Sequence, residues 1–137
     1  MSYTNPTLPG WNSDPRRIFV KELDTFICTT SSFLAFPGIP LISEIDPKIG
    51  AGTEPFKVLN DTGDRNPEGP HLYKKDGCYY FLIVKGSTET NHSAIIARAT
   101  DIHGPYEGYP DYPLLTAKDT AEYFQTVGHA ESGNFIH

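Results

Sequence analysis

The chain has 137 residues, a formal net charge of −6 at pH 7, and 12 glycines and 12 prolines. This length suits one domain with a core, and no stretch reaches the roughly 18 apolar residues of a membrane-spanning helix. The 11 lysines and arginines form no basic block, which excludes a nucleic-acid partner because nothing would neutralise a row of phosphates.

Short apolar runs bounded by turn-forming residues follow one another along the chain, and none has sustained helical periodicity. They cover residues 16–20, 25–30, 56–59, 71–75, 78–84, 93–99 and 112–115. Lys75-Asp76-Gly77 predicts a hairpin turn between two of these runs. Several runs are apolar at consecutive positions, which is typical of strands covered on both faces. The sequence therefore predicts an all-β fold.

A weak internal repeat relates two segments at a shift of 54 positions. The segment DPRRIFVKELDTFICTT, from Asp14, aligns without gaps with EGPHLYKKDGCYYFLIV, from Glu68. Each copy runs from an acidic residue through a nearby proline and a strand to a turn and a second strand. Repetition of one sheet unit indicates a β-propeller or a related radial architecture. In that setting the inner strands of two blades would direct Asp14 and Glu68 into one central pocket.

A pair of carboxylates across a sugar-sized cleft is the chemical requirement for glycoside hydrolysis. One acid protonates the leaving oxygen, and the other activates water or attacks the anomeric carbon. A separation of roughly 6.5–9.5 Å gives inversion, whereas about 5 Å favours retention. Pro15 biases Asp14 towards extended conformations, and Gly69 lets the backbone turn beside Glu68. The alternative is that both acids are turn residues that bind local backbone N–H groups.

Two histidines and two cysteines are the other candidates for chemistry. His71 lies near Glu68 and would either orient it or pair with a tyrosine hydroxyl. His129, in TVGHAES, would line a pocket or bind an ion through a water, or be an ordinary hydrogen-bonded residue. Cys28 and Cys78 lie in apolar runs without zinc-type spacing, which favours core thiols over a disulfide or a metal pair. The stretch SSFLAFPG (31–38) would either stack on a sugar ring or belong to the core.

The same motifs resemble glycoside hydrolase family 43, in the branch of β-xylosidases and α-L-arabinofuranosidases. NPTLPGWNSDPRRIFV with TTSSFLAFPGIPL is similar to the first blade of that branch. The segment that begins NPEGPHLYKKDGCYYFLIV is similar to the fourth blade, and TVGHAES to the entry into the fifth. The resemblance covers nearly the whole chain, and it implies a five-bladed β-propeller that inverts the anomeric configuration.

The resemblance also implies roles for individual residues. Asp14 matches the general base and Glu68 the general acid. Phe33 matches an aromatic wall of the sugar subsite, and His71 matches the histidine of the acid motif. His129 matches a histidine near the bottom of the central cavity. The resemblance therefore implies Phe33, His71 and His129 as substrate-binding residues, no required cofactor or metal, and an optional structural cation near His129.

The resemblance is to an incomplete propeller of about two and a half blades. Residues 1–41 correspond to the first blade, 42–115 to the fourth and 116–137 to the start of the fifth. The chain is therefore predicted to be truncated and internally deleted, with a join near Leu41 to Ser43. No acidic residue lies in a motif that matches the family's third carboxylate. Uncovered blade faces then predict self-association.

The predicted function is hydrolysis of O-glycosyl bonds in xylose- or arabinose-containing oligosaccharides, impaired by the missing blades. The alternative is a non-catalytic sugar-binding or interaction fragment. The predicted partner is a small oligosaccharide, with no nucleic acid and no membrane. The segment MSYTNPTLPGW has neither a basic region nor an apolar region of a signal peptide, which favours a cytoplasmic protein over a secreted one.

Overall fold

A computed structural model of the protein describes residue 8 and residues 12–32, 39–54, 56–57, 67–86, 91–111 and 113–133. Strands and turns dominate these ranges, which contain no α-helix. The prediction of an all-β fold is therefore confirmed. Phe33, the predicted aromatic wall, lies outside the described residues. No helix in the described ranges is long and apolar enough to cross a membrane.

The first sheet is an antiparallel meander of four strands in chain order. It contains β1 (Ser13–Val20), β2 (Thr25–Ser32), β3 (Ile39–Ile45) and β4 (Phe56–Lys57). A short 3-10 turn, Lys21–Leu23, joins β1 to β2. The predicted runs 16–20 and 25–30 fall within β1 and β2. The predicted run 56–59 begins at β4, and residues 58–59 lie outside the described ranges.

The strand β3 was not predicted, because its proline-rich start reads as a turn. Pro40 lies opposite Ser31 of β2, while β4 pairs only with Leu41 and Ile42 among the described residues. A proline that lacks an N–H is tolerated where a strand has an unpaired side. The proposed join at Leu41 to Ser43 lies inside this strand. Residues 42–45 and 56–57 therefore belong to the first sheet, and the match of each segment to a particular blade of the family stays a prediction.

The second sheet follows the same plan. It contains β5 (Glu68–Lys75), β6 (Cys78–Lys85), β7 (Ser93–Ala99) and β8 (Glu107–Gly108) in that order, and β9 (Leu115–Thr116) also pairs with β7. The predicted turn is present, with Asp76 and Gly77 both at positive φ (50° and 77°) as tight hairpins require. Of the described residues in the predicted run 112–115, only the last lies in a strand of this sheet, the short strand β9.

The main hydrophobic core lies between the two sheets. It combines aliphatic side chains of the first sheet, aliphatic and aromatic side chains of the second, and one side chain from the turn after β7: Val20, Ile27, Ile42, Leu72, Tyr79, Phe81, Ile83 and Ile102. A second cluster, of Tyr73, Leu82 and Ala94 with Tyr80, Ile96 and Ala130, lies on the other face of the second sheet. This sheet is therefore covered on both faces, as the consecutive apolar positions of β6 predict.

The internal repeat is present, but its shift is not constant. The register of the first hairpin pairs Val20 with Thr25, and that of the second pairs Lys75 with Cys78. The first strands of the two hairpins therefore correspond at a shift of 55 and the second strands at 53, because the two loops differ in length. The gap-free shift of 54 is their mean. As a result, Asp14 is structurally equivalent to Gly69 rather than to Glu68.

The two cysteines are free thiols. Cys28 is buried in β2, and burial raises the pKa of its thiol. Cys78 is half-buried at the start of β6, so only Cys28 fits a core position fully. The two most exposed large apolar side chains, Tyr123 and Phe124, lie after β9 and are 91% and 75% exposed. Self-association through uncovered faces stays a prediction.

Candidate active site at the start of β1 and β5

Each inner strand carries an irregularity at the position of its acid. The register of β1 with β2 shifts between Ser13 and Arg16, and the register of β5 with β6 shifts between Glu68 and His71. Asp14 and Gly69 occupy the two bulges at φ values of 49° and 55°. The prediction of an extended Asp14 before Pro15 is therefore wrong, because a positive φ lies outside the extended region. Bulges re-aim side chains and release backbone groups from the ladder, and they are common beside active sites. Both acids therefore lie where the regular pairing of a strand is broken.

The hydroxyl of Ser31 connects the two bulges. Ser31 Oγ donates to Asp14 Oδ2 at 3.2 Å and accepts a hydrogen bond from the backbone N–H of Gly69 at 3.0 Å. Ser31 is almost fully buried, at 1% exposure. One side chain of β2 therefore holds the Asp14 carboxylate and the backbone that follows Glu68. The structure brings the two predicted acids to the same end of the two sheets.

A second hydroxyl of β2 satisfies the same bulge of β5. Thr29 Oγ1 donates to the carbonyl oxygen of Pro70 at 2.7 Å, and both residues are buried. A buried backbone group that leaves the ladder needs another partner, since an unpaired one costs about 1–3 kcal/mol. The buried hydroxyls of Thr29 and Ser31 are explained by this requirement. The hydrogen bond from Thr29 to Pro70 therefore holds the start of β5 against the first sheet.

His71 is held by a chain of hydrogen bonds that begins in the segment after β9. The backbone N–H of Ser132 donates to the hydroxyl of Tyr73 at 3.0 Å, and this hydroxyl lies 3.2 Å from Nδ1 of His71. The imidazole is 4% exposed. Its other nitrogen, Nε2, is buried without a hydrogen-bond partner among the described residues. The alternative in which His71 pairs with a tyrosine is therefore realised, and one ring nitrogen is left over.

Charges around His71 favour its neutral form. Burial, followed by the positive charge of Arg16, lowers the pKa of His71 below its usual 6.5, and His129 adds to this effect. The carboxylates of Glu131 and Asp14 oppose the shift without cancelling it. Glu131 Oε1 lies 3.9 Å from Nδ1 of the ring and 3.6 Å from the Arg16 guanidinium. Protonation of the imidazole is therefore disfavoured in the folded protein.

His129 lies directly over the backbone beside Glu68. A Cβ atom added to Gly69 would be 2.8 Å from Cε1 of His129. A Cβ atom added to Gly128 would be only 2.1 Å from Cδ2 of the buried His92. Both glycines are therefore needed for close packing of the segment 128–129 on the second sheet. The ring of His129 stands edge-on to that of His71, with centroids 6.1 Å apart.

The structure thus places Asp14, Glu68, His71 and His129 around one end of the sheets. Sequence reasoning missed the residues that hold them there, namely Ser31, Thr29, Tyr73, Ser132 and Glu131. The only available signal was the polar run Thr29 to Ser31, and two of its partners, Gly69 and Pro70, lie on the second sheet. No group of three or more His, Cys, Asp or Glu side chains in the described residues could hold a metal ion. A structural cation near His129 stays a prediction from the resemblance.

A separate hollow of about 520 Å³ lies on the second sheet. It is lined by Tyr80, Ile96, Arg98, Glu107 and Tyr109, among others. Tyr80 lies near the turn between β5 and β6, whereas Glu68 pairs with Val84 at the opposite end. This hollow therefore contains neither acid and is distinct from the candidate site.

Comparison with known proteins identifies the family. The profile of "Glycosyl hydrolases family 43" matches residues 41–134. The chain therefore belongs to glycosyl hydrolase family 43. It is 41% identical over 98 residues to xylosidase/arabinosidase 43B of Humicola insolens, which covers 70% of this chain and 18% of that protein. It is 32% identical over 132 residues to the non-reducing end alpha-L-arabinofuranosidase BoGH43B of Bacteroides ovatus. This match covers 94% of this chain and 24% of that protein.

Solved structures agree with this assignment. The GH43 protein BlXynB from Bacillus licheniformis is 33% identical, with a TM-score of 0.75, over 88% of this chain and 22% of that one. The xylan beta-1,4-xylosidase from Bacillus halodurans is 30% identical, with a TM-score of 0.76, over 90% of this chain and 26% of that protein. These structures are five-bladed β-propellers, so the fold of this chain is part of such a propeller. The chain spans about a fifth to a quarter of the length of the relatives it matches.

Proposed function

We propose that Asp14 and Glu68 are the general base and the general acid of an inverting glycoside hydrolase. The proposed substrates are oligosaccharides with terminal xylose or arabinose. The observation that carries the proposal is the Ser31 hydroxyl, which binds the Asp14 carboxylate and the N–H next to Glu68. Membership of family 43 supports the reaction class, and the printed names of the relatives support the sugar.

In the proposed reaction the two acids act on opposite sides of the anomeric carbon. Glu68 donates its proton to the glycosidic oxygen as the bond to the anomeric carbon breaks. Asp14 accepts a proton from a water molecule whose oxygen attacks the opposite face of the sugar. The water supplies the new hydroxyl group, so the anomeric configuration is inverted. His71 and His129 are proposed to contact the sugar, and the Phe33 wall stays a prediction from the resemblance.

Substrates with different leaving groups separate the two roles. Nitrophenolate leaves readily without a proton, whereas the sugar alcohol of xylobiose needs one. We expect Glu68→Gln to lower kcat on xylobiose by roughly 10²–10⁴-fold. The decrease in kcat on nitrophenyl β-xyloside should be much smaller. Asp14→Asn should lower both rates by a similar factor, because the same activated water attacks in the transition state whichever group leaves. Glu107→Gln, on the exposed strand β8, is the matched control and should retain full activity. Hydrolysis that survives both site substitutions would contradict the proposal.

A second candidate function is sugar binding without turnover. It would require the residues that contact the sugar but neither acid, whereas hydrolysis requires both acids. This function predicts saturable binding of xylo-oligosaccharides that survives Asp14→Asn and Glu68→Gln but is lost in Phe33→Ala. Calorimetric titration of these variants with xylobiose distinguishes the two functions.

A further inference from the structure

We propose that the hollow on the second sheet is a carbohydrate-binding site separate from the catalytic centre, and that it takes a neutral oligosaccharide. Its volume of about 520 Å³ lies within the range of about 300–1,000 Å³ that is usual for small-molecule sites. The class of ligand follows from the side chains that line the hollow. Only the choice of xylose units as the test sugar rests on the proposed function.

Aromatic and aliphatic side chains line the hollow on one face of the second sheet. Tyr80 of β6 and Ile96 of β7 lie on the face whose inner part packs against Ala130, and they line the hollow. Tyr109, just after β8, is 46% exposed, and its backbone N–H donates to the carbonyl oxygen of Ile96 at 2.9 Å. Its ring is therefore open to solvent on a backbone that is fixed to β7. Such a ring can stack on the apolar C–H face of a sugar.

Two opposite charges lie side by side in the hollow without pairing. Arg98 of β7 is directly opposite Glu107 of β8, and both line the hollow. Both are exposed, and neither side chain forms an ion pair or a hydrogen bond with another described residue. A guanidinium offers only donors and a carboxylate only acceptors. Because a hydroxyl group both donates and accepts, neighbouring hydroxyls of one sugar unit can bind both side chains.

The same two charges disfavour other classes of ligand. One cation and one anion line the hollow, so it has no net charge, whereas the whole chain carries −6. An anionic ligand would be attracted by Arg98 but repelled by Glu107 and by the chain as a whole. A purely apolar ligand would take water from both charges and offer no hydrogen bond in return. A neutral sugar avoids both costs.

The hollow lies too far from the two acids to be part of the catalytic centre. Tyr80 is four residues along β6 from Val84, the residue opposite Glu68, which corresponds to about 13 Å of strand. A sugar chain held in the hollow would raise its local concentration near the candidate site. A nitrophenyl xyloside occupies only the candidate site, so Tyr109→Ala should leave its hydrolysis unchanged.

The test is an NMR and calorimetric titration of the whole chain with xylotetraose. In spectra of the wild type recorded before measurable hydrolysis, the ring resonances of Tyr80 and Tyr109 and the Nε–H of Arg98 should shift saturably. Tyr109→Ala should weaken this binding by roughly 5- to 10-fold, through the loss of about 40–55 Å² of apolar contact. Arg98→Met should weaken it by roughly 2- to 12-fold, the effect of one hydrogen bond. The controls are Tyr123→Ala and Arg17→Met, two exposed residues outside the lining of the hollow, and both should bind as wild type.

The outcomes separate this inference from the proposed function. Saturable shifts in the hollow without any hydrolysis would support the inference and refute the function. Hydrolysis with unchanged resonances in the hollow would refute the inference and leave the function standing. Equal shifts with tetragalacturonate, an anionic oligosaccharide, would overturn the assignment of a neutral ligand. Self-association that Tyr109→Ala abolishes would show that a second copy covers the hollow, and would overturn the sugar site. The NMR titration uses the wild-type chain, so it is decisive even if a variant does not fold.

Discussion

Removal of the Ser31 hydroxyl tests how the two bulges are held together. Ser31→Ala deletes the donor to Asp14 and leaves the Gly69 N–H without its acceptor at a buried position. An unsatisfied buried N–H costs about 1–3 kcal/mol, and the bond to the half-exposed carboxylate adds about 1 kcal/mol. We therefore expect the free energy of unfolding to fall by about 2–4 kcal/mol. For a chain of this size the melting temperature should drop by roughly 6–20 °C.

The matched control is Thr29→Val, which removes another buried hydroxyl from the same strand. Thr29 bonds to the Pro70 carbonyl and does not contact Asp14, so its loss should cost about 1–2 kcal/mol of stability. Hydrolysis distinguishes the two variants, since only Ser31→Ala frees the Asp14 carboxylate to rotate. We expect kcat to fall about 10- to 100-fold in Ser31→Ala and to remain near wild type in Thr29→Val. Thermal melting and nitrophenyl xyloside assays below both melting temperatures measure these effects. Equal losses of kcat in the two variants would refute the role assigned to Ser31.

Three further predictions concern packing and ionisation. In a urea titration, Gly128→Ala should destabilise the protein by about 1–3 kcal/mol, because the new methyl group overlaps the buried His92. Gly133→Ala, whose methyl group would meet open space, should leave the stability unchanged in the same titration. Phe81→Ala should cost about 3–5 kcal/mol by opening a cavity between the sheets, and a loss below 1 kcal/mol would contradict the assigned core. Because the folded state lowers the pKa of His71, the unfolded state binds more protons below pH 6.5, so stability should fall as pH decreases from 7. His71→Gln should flatten this part of the pH profile of unfolding, and an unchanged slope would contradict the neutral buried ring.

The strands of this fold were predictable where local signals agree. The apolar run of β6 and the Asp76-Gly77 turn define their hairpin without ambiguity. β3 was missed because Pro40 is a turn signal. The proline is compatible with a strand because the short strand β4 pairs with Leu41 and Ile42 and not with Pro40. The repeat was recognised, but each strand was misaligned by one residue. The loop between β1 and β2 is two residues longer than the loop between β5 and β6, and a single shift of 54 averages the true shifts of 55 and 53.

The site was predictable only for residues within recognisable motifs. Asp14 and Glu68 stand beside Pro15 and Gly69, and that local pattern is visible in the sequence. The hydrogen bond between Ser31 and the Gly69 N–H depends on the packing of one sheet on the other, which no local pattern encodes. Tyr73 likewise reads as a strand aromatic until the segment that carries Ser132 is placed against it. Local chemistry thus indicated the acids, and tertiary contacts supplied their supports.

The central claim is that Asp14 and Glu68 act on the same sugar from opposite sides. The most direct measurement is proton NMR of the first product released from nitrophenyl β-xyloside, before the anomers equilibrate. Inversion predicts that α-xylose appears first and that neither Asp14→Asn nor Glu68→Gln forms product from xylobiose at a comparable rate. Initial release of β-xylose, or no release of xylose by the wild-type chain, would contradict the claim.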